Sequence, residues 1–198
     1  MQTKQKYHHG DLAESLVRAT ISLLNEKGPA GISLREVARR AGVSHGAPAH
    51  HFGDKAGLLT AVAIDGHRLL GQALEASLTE GEQAFERLLA AGAAYIRFAV
   101  THSAFFSIMF QSELLNSKDV EYRVALQAAR SVLERCVSEL AGDKEIDAEQ
   151  MEFTTMALWS QVHGFSSLWL AGNFGDAKNL EALDAMIERM LRSLRVEW

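Results

Sequence analysis

Three breaks, at Gly28-Pro29, Gly42 and Gly53, cut the first sixty residues into short helical pieces, and no other feature constrains the fold as tightly. Leu12, Leu16, Ala19 and Leu23 recur at three- and four-residue spacing, which predicts a first helix from Asp11 to about Lys27. Glycine acts as a left-handed cap and proline as a breaker, so Gly28-Pro29 ends it. Ser33 and Glu36 form a capping box that opens a second, short helix to Ala41. After Gly42, Ser44 is expected to cap a third helix through Phe52. Val37, Ala38 and Ala41 can face a core, and the small Ala38 permits close packing. Two short helices about a glycine turn make the helix-turn-helix pattern, whose second helix enters the DNA major groove. Any helical hairpin with a glycine turn shares that general pattern.

The same periodicity continues to the end of the chain. Asp54 is expected to cap a long helix to about Leu78, followed by helices over 82–100, 103–111 and 117–140. The piece over 103–111 is rich in Phe and Met. Asp147 with Gln150 opens a helix to about Leu170, a glycine turn follows, and a last helix runs from about Asp176 to Arg195. About nine helices and no β-alternation give an all-α expectation. The 47% of hydrophobic residues excludes a disordered chain. No window of roughly 18 residues is free of charged and polar breaks, which argues against a membrane span. A single cysteine, Cys136, excludes an intrachain disulfide framework and a multi-cysteine zinc site, and it is expected in the core. Met1 to Gly10 carries no apolar signal core, so a cytoplasmic location is expected.

Charge is unevenly spread. Residues 1–60 hold eight Lys/Arg against five Asp/Glu, while the rest holds twelve against twenty. Five of the eight histidines also lie in those sixty residues. A mildly basic head on an acidic body suits a polyanionic partner, although an excess of this size also arises by chance. His8-His9 and His50-His51 are adjacent pairs, and neighbours on a helix point about 100° apart rather than converging on a metal. There is no HExxH or Cys/His spacing and no GxSxG, so no metal, cofactor or enzymatic activity is expected.

The longer context is more specific. The run GISLREVARRAGVSHGAPAHHFGDKAGLL, residues 31–59, resembles the DNA-binding head of the TetR family of bacterial repressors. The resemblance extends from near His9-Gly10 to about Val62. It is carried by Ser33, Val37-Ala38, Ala41-Gly42-Val43-Ser44, Gly46, His51-Phe52, Lys55 and Leu58-Leu59. Trp159, His163 and Gly164, in WSQVHGFSSLWLAG, look like the Trp-His-Gly pattern in the ligand domain of one TetR subgroup. One departure matters: the family's usual tyrosine before x-His-Phe is Ala49 here, which removes a ring and a hydroxyl that commonly touch DNA.

The resemblance implies a DNA-binding domain over 8–56 and a ligand-binding and dimerisation domain over 57–198. It implies DNA contacts from Ser33, Arg35, Ser44, His45, Gly46, His50, His51 and Lys55. Helix N-termini at Ser33 and Ser44 favour a phosphate, and Lys55 reaches one as a point charge. The predicted reading helix holds no Arg or Lys; His45 and His50 can donate to guanine, and Ala47 and Ala49 can pack on a thymine methyl. His51 is as well explained by packing at the helix end.

The last two helices correspond to the family's dimer interface, with Leu168, Leu180, Leu183, Ile187 and Met190 as contact candidates. Phe98, Phe105, Phe106, Met109, Phe110, Trp159, His163 and Phe165 are candidates to line an effector pocket, although such a stripe also suits plain core. The expected function is a homodimeric repressor that binds a palindromic double-stranded operator. A small, mainly apolar effector would release it, with no membrane partner. Two rivals stand beside it: an effector-independent helical DNA-binding protein, and a helical small-molecule carrier with a vestigial head.

Overall fold

A computed structural model describes residues 9–177 and 179–193. His8, Lys178 and the stretch from Leu194, into which the sequence predicts the last helix to run, lie outside the described residues. The described chain is all-α, with nine α-helices: α1 (His9–Lys27), α2 (Leu34–Ala41), α3 (Ala47–Phe52), α4 (Lys55–Ala76), α5 (Ala84–Thr101), α6 (Ser103–Met109), α7 (Val120–Ala141), α8 (Ala148–Leu170) and α9 (Leu180–Arg192). Single 3-10 turns occupy Pro29–Gly31 and Ser112–Leu114. No single described helix is long and apolar enough to cross a membrane.

Side-chain caps set several of the helix starts. Asp147 Oδ1 accepts from the Gln150 amide at 2.8 Å and starts α8 where the sequence places it. Asn179 Oδ1 accepts from the Ala182 amide at 3.0 Å, so α9 begins at Leu180 rather than near Asp176. Asp119 Oδ1 takes the Tyr122 amide at 2.9 Å, and α7 likewise starts later than the periodicity alone suggests.

Contacts divide the chain into two compact units. One comprises residues up to Gly66 together with Ala104–Arg123. Its core holds Leu16, Leu23, Val37, Ala38, Leu58, Leu59 and Val62, all fully buried. The segment after α5 is tied to the first half of α4 by polar contacts: the Asn116 amide donates to Thr60 Oγ1 at 2.8 Å. Gly66 lets α6 come close, because a Cβ there would lie 2.6 Å from Met109 Sδ.

The other unit comprises His67–Ser103 and the chain from Val124 onward. Here α5 packs on α8 and α9. Gly92 makes room for Leu191 of α9 and Val162 of α8. Arg97 Nε donates to Asp184 Oδ1 at 2.8 Å on the rim of the α5–α9 contact. Cys136 is fully buried in this unit, and burial pushes its thiol above the ordinary value.

Candidate nucleic-acid interface

The head is built by two turns and a strict accounting of backbone amides. Ser33 adopts an extended conformation and its Oγ accepts from the Glu36 amide at 3.3 Å, starting α2. At the other end Gly42 is left-handed, with φ 69°. The Val43 amide reaches back to the Ala38 carbonyl at 3.0 Å and the Gly42 amide to Arg39 at 3.3 Å. That double bond is a Schellman closure, which glycine makes without steric penalty.

The next turn corrects the expectation for Ser44. It caps no helix: the N-cap of α3 is Gly46, and the helix starts at Ala47. Pro48 is the reason. A helix capped at Ser44 would need a hydrogen bond from the fourth helical amide, at position 48, back to the Ser44 carbonyl, and proline has no N–H to give. Starting at Ala47 puts Pro48 in the first turn, where no amide is needed. The His50 amide then closes the first helical bond, to the Gly46 carbonyl at 3.0 Å. Gly53, with φ 78°, ends α3, and Asp54 Oδ1 accepts from the Gly57 amide at 2.8 Å to start α4.

The result is a short helix in contact with α2, with Pro48 buried, Ala49 and His50 exposed on it, and Ser44, His45 and Gly46 exposed on the turn before it. Arg35 is exposed and makes no ion pair among the described residues. His51 is half-buried, with its ring 5.9 Å from that of His50 and 6.1 Å from Phe52. Lys55 is half-buried too, and its Nζ donates to the Pro29 carbonyl at 3.1 Å. Ser33, Arg35, Ser44, His45, Gly46 and His50 therefore reach solvent; His51 and Lys55 also support the head internally.

The remaining head charges brace helices. Arg40 grips Glu26 with its two terminal guanidinium nitrogens, each at 2.6 Å, and holds that carboxyl below the usual range. Lys27 pairs with Glu36, whose carboxyl is lowered chiefly by that bond. Arg39 reaches Glu36 only at 3.7 Å and keeps 70% of its side chain exposed.

The pocket candidates fall into separate groups. Phe105, Phe106 and Met109 are buried in the first unit, and Phe106 meets the half-buried Phe110 edge-on at 5.6 Å. In the second unit, buried Phe98 stacks on His102 at 4.9 Å, and Phe165 stacks on Trp169 and Phe174. Trp159 and His163 come together through a residue the sequence did not single out for a site. Tyr95, on α5, is buried; its hydroxyl accepts from Trp159 Nε1 at 3.2 Å and lies 2.8 Å from His163 Nδ1. Burial raises the Tyr95 phenol and lowers the His163 imidazole, so both are held neutral. The signal was a tyrosine inside the apolar α5 run, since a buried phenol needs a partner.

Of the five dimer candidates, Leu183 and Ile187 are buried within their own chain, Met190 is half-buried, and Leu168 and Leu180 are exposed.

The model for bacterial regulatory proteins of the tetR family matches residues 16–62, and that for the tetracyclin repressor-like C-terminal domain matches residues 88–194. The chain is also 33% identical over 190 residues to the HTH-type transcriptional regulator BetI of Cronobacter sakazakii, covering 89% of this chain and 87% of that one. The chain belongs to the TetR family of transcriptional regulators. Among solved structures, a Rhodococcus sp. RHA1 protein of unknown function is similar, with a TM-score of 0.75 and 32% identity, covering 96% of this chain and 99% of that one. A Rhodococcus RHA1 regulatory protein of the tetR family shares the fold, with a TM-score of 0.71 and 20% identity over 94% of this chain and 98% of that one.

Proposed function

We propose that this TetR-family regulator is a homodimeric, cytoplasmic, non-enzymatic repressor. Residues 8–56 would bind half of a palindromic operator, and residues 57–198 would dimerise and hold a small, mainly apolar effector. The observation that carries the reading is the second helix of the helix-turn-helix pair: α3 packs on α2 and buries Pro48 while Ala49 and His50 stay exposed. A short helix anchored on one side and bare on the other suits entry into a major groove.

Dimerisation rests on α8. Phe153, Met156, Ala157, Ser160, Gly164 and Leu168 fall on one stripe at helical spacing, and Phe153, Met156 and Leu168 are exposed large apolar side chains. Small residues in the middle and large ones at the ends suit close approach of a symmetry-related helix. Leu180 on α9 is exposed as well.

The effector reading rests on Tyr95, Trp159 and His163. A hydrogen-bonded group among aromatic side chains, with Trp159 38% exposed, suits a mainly apolar molecule with one polar end. Release follows if the effector binds the non-DNA conformation more tightly.

Selection from a random-sequence duplex library with the full-length protein tests the reading. A palindromic consensus bound by two chains, with affinity that falls steeply with salt, is expected. Recovery of no consensus, or binding by single chains, would overturn it.

A further inference from the structure

The exposed face of α3 and the turn before it has a narrow chemistry. From the turn after Gly42 to the end of α3, the exposed side chains with polar atoms are Ser44, His45 and His50. No Lys or Arg occurs between Arg40 and Lys55. Arg40 is occupied by Glu26 and Ser22, and Lys55 donates to the Pro29 carbonyl. The fixed cations of the head thus sit outside the reading helix. On α3 and its turn the only groups able to carry positive charge are imidazoles.

Resting on the DNA-binding reading above, we propose that His45 and His50 read guanine in the operator as imidazolium ions, so that operator binding takes up protons. Guanine presents only acceptors, N7 and O6, in the major groove. A neutral imidazole has one N–H to offer, whereas the imidazolium has two and a charge that suits the surrounding phosphates. DNA therefore binds the protonated form more tightly. By linkage, affinity rises as pH falls.

The surroundings leave both side chains free to respond. Neither His45 nor His50 makes a hydrogen bond or ion pair among the described residues; His50 has only the ring contact with His51. The charged groups of the packed and flanking elements are Arg35, Glu36, Arg39 and Arg40 on α2, with Asp54 and Lys55 after α3. Glu36 is taken by Lys27 and Arg39, and an Asp54 oxygen accepts the Gly57 amide. No carboxylate among the described residues pairs with His45 or His50, so the anion that favours their protonation is the DNA.

The test uses the full-length protein and the duplex recovered by selection, with affinity measured from pH 5.5 to 8 at fixed salt and folding checked by melting at each pH. Log affinity against pH should steepen toward −2, up to about a hundredfold per pH unit for two histidines. His45→Gln and His50→Gln should each take up to one unit from that slope. Replacing the contacted guanine by 7-deazaguanine, which lacks the N7 acceptor, should remove the same share. Selective binding with a flat profile and near-neutral glutamine variants would overturn the proposal but leave the DNA-binding reading standing. An equal slope on a scrambled duplex would place the histidines on phosphates and overturn base reading. Absence of selective binding at any pH would overturn the parent reading itself.

Discussion

Lys55 Nζ donates to the carbonyl oxygen of Pro29 at 3.1 Å, which ties the first turn of α4 to the turn that ends α1. A lysine in this place can serve both as a strut and as a phosphate contact, and two substitutions separate the roles. Lys55→Gln keeps a donor for Pro29 but removes the charge. It should leave the melting temperature unchanged, weaken binding to all duplexes alike and lower the salt slope by about one. Lys55→Ala should lose both. Unchanged affinity and slope in Lys55→Gln would leave Lys55 only the strut.

Tyr95 and His163 give a titration with a defined sign. The Tyr95 oxygen accepts from Trp159 Nε1 and lies 2.8 Å from His163 Nδ1, where its own O–H can donate to a neutral imidazole. Burial favours the neutral imidazole. The unfolded chain takes up this proton as pH falls below about 6.5, so the contribution to stability is present above that pH and lost below it. Tyr95→Phe should cost about 1 kcal/mol and move the His163 midpoint upward, read from imidazole proton resonances. A downward move would mean that His163 is the donor.

Two glycines of α4 should respond oppositely to one methyl group. At Gly66 a Cβ would meet Met109 Sδ at 2.6 Å and Phe105 Cβ at 3.1 Å. Gly66→Ala should destabilise by about 1–2 kcal/mol despite its better helix propensity. At Gly71 the nearest atom is the Ala129 Cα at 3.7 Å, ordinary contact. Gly71→Ala should stabilise by up to about 1 kcal/mol. Thermal melts of the pair decide it.

The dimer proposal turns on which leucines and methionines are already occupied. Leu183 is 1% exposed, so Leu183→Glu buries a charge in its own chain and should unfold it. Met156 is 47% exposed, so Met156→Glu should stay folded and run as a monomer in sedimentation, losing palindrome binding with its partner. A dimeric Met156→Glu protein would move the interface elsewhere.

Much of this was legible in the residue order, because helix boundaries obey local chemistry. Ser33, Gly42, Asp54 and Asp147 act where their side chains or backbone freedom dictate. Ser44 misled because its preference for capping competes with a proline four residues on, and the missing amide wins. Burial was less legible. Leu183 and Leu180 lie three apart on α9, yet one is core and the other open, since which part of an apolar stripe the chain fills itself depends on α5. Tyr95 escaped notice because its partners lie more than sixty positions away.

Pro48 and Gly53 also fix how much text α3 can read. Between them they hold the helix to six residues, a rise of about 9 Å, while stacked base pairs repeat every ~3.4 Å. A probe of that length spans fewer than three letters. With each mismatch worth only about 1–3 kcal/mol, one head alone would be lost among the many near-matches of a genome. On the proposed reading, most of the address is therefore written in the distance between two short words, and changing the gap between half-sites should be punished more severely than changing any single letter within them.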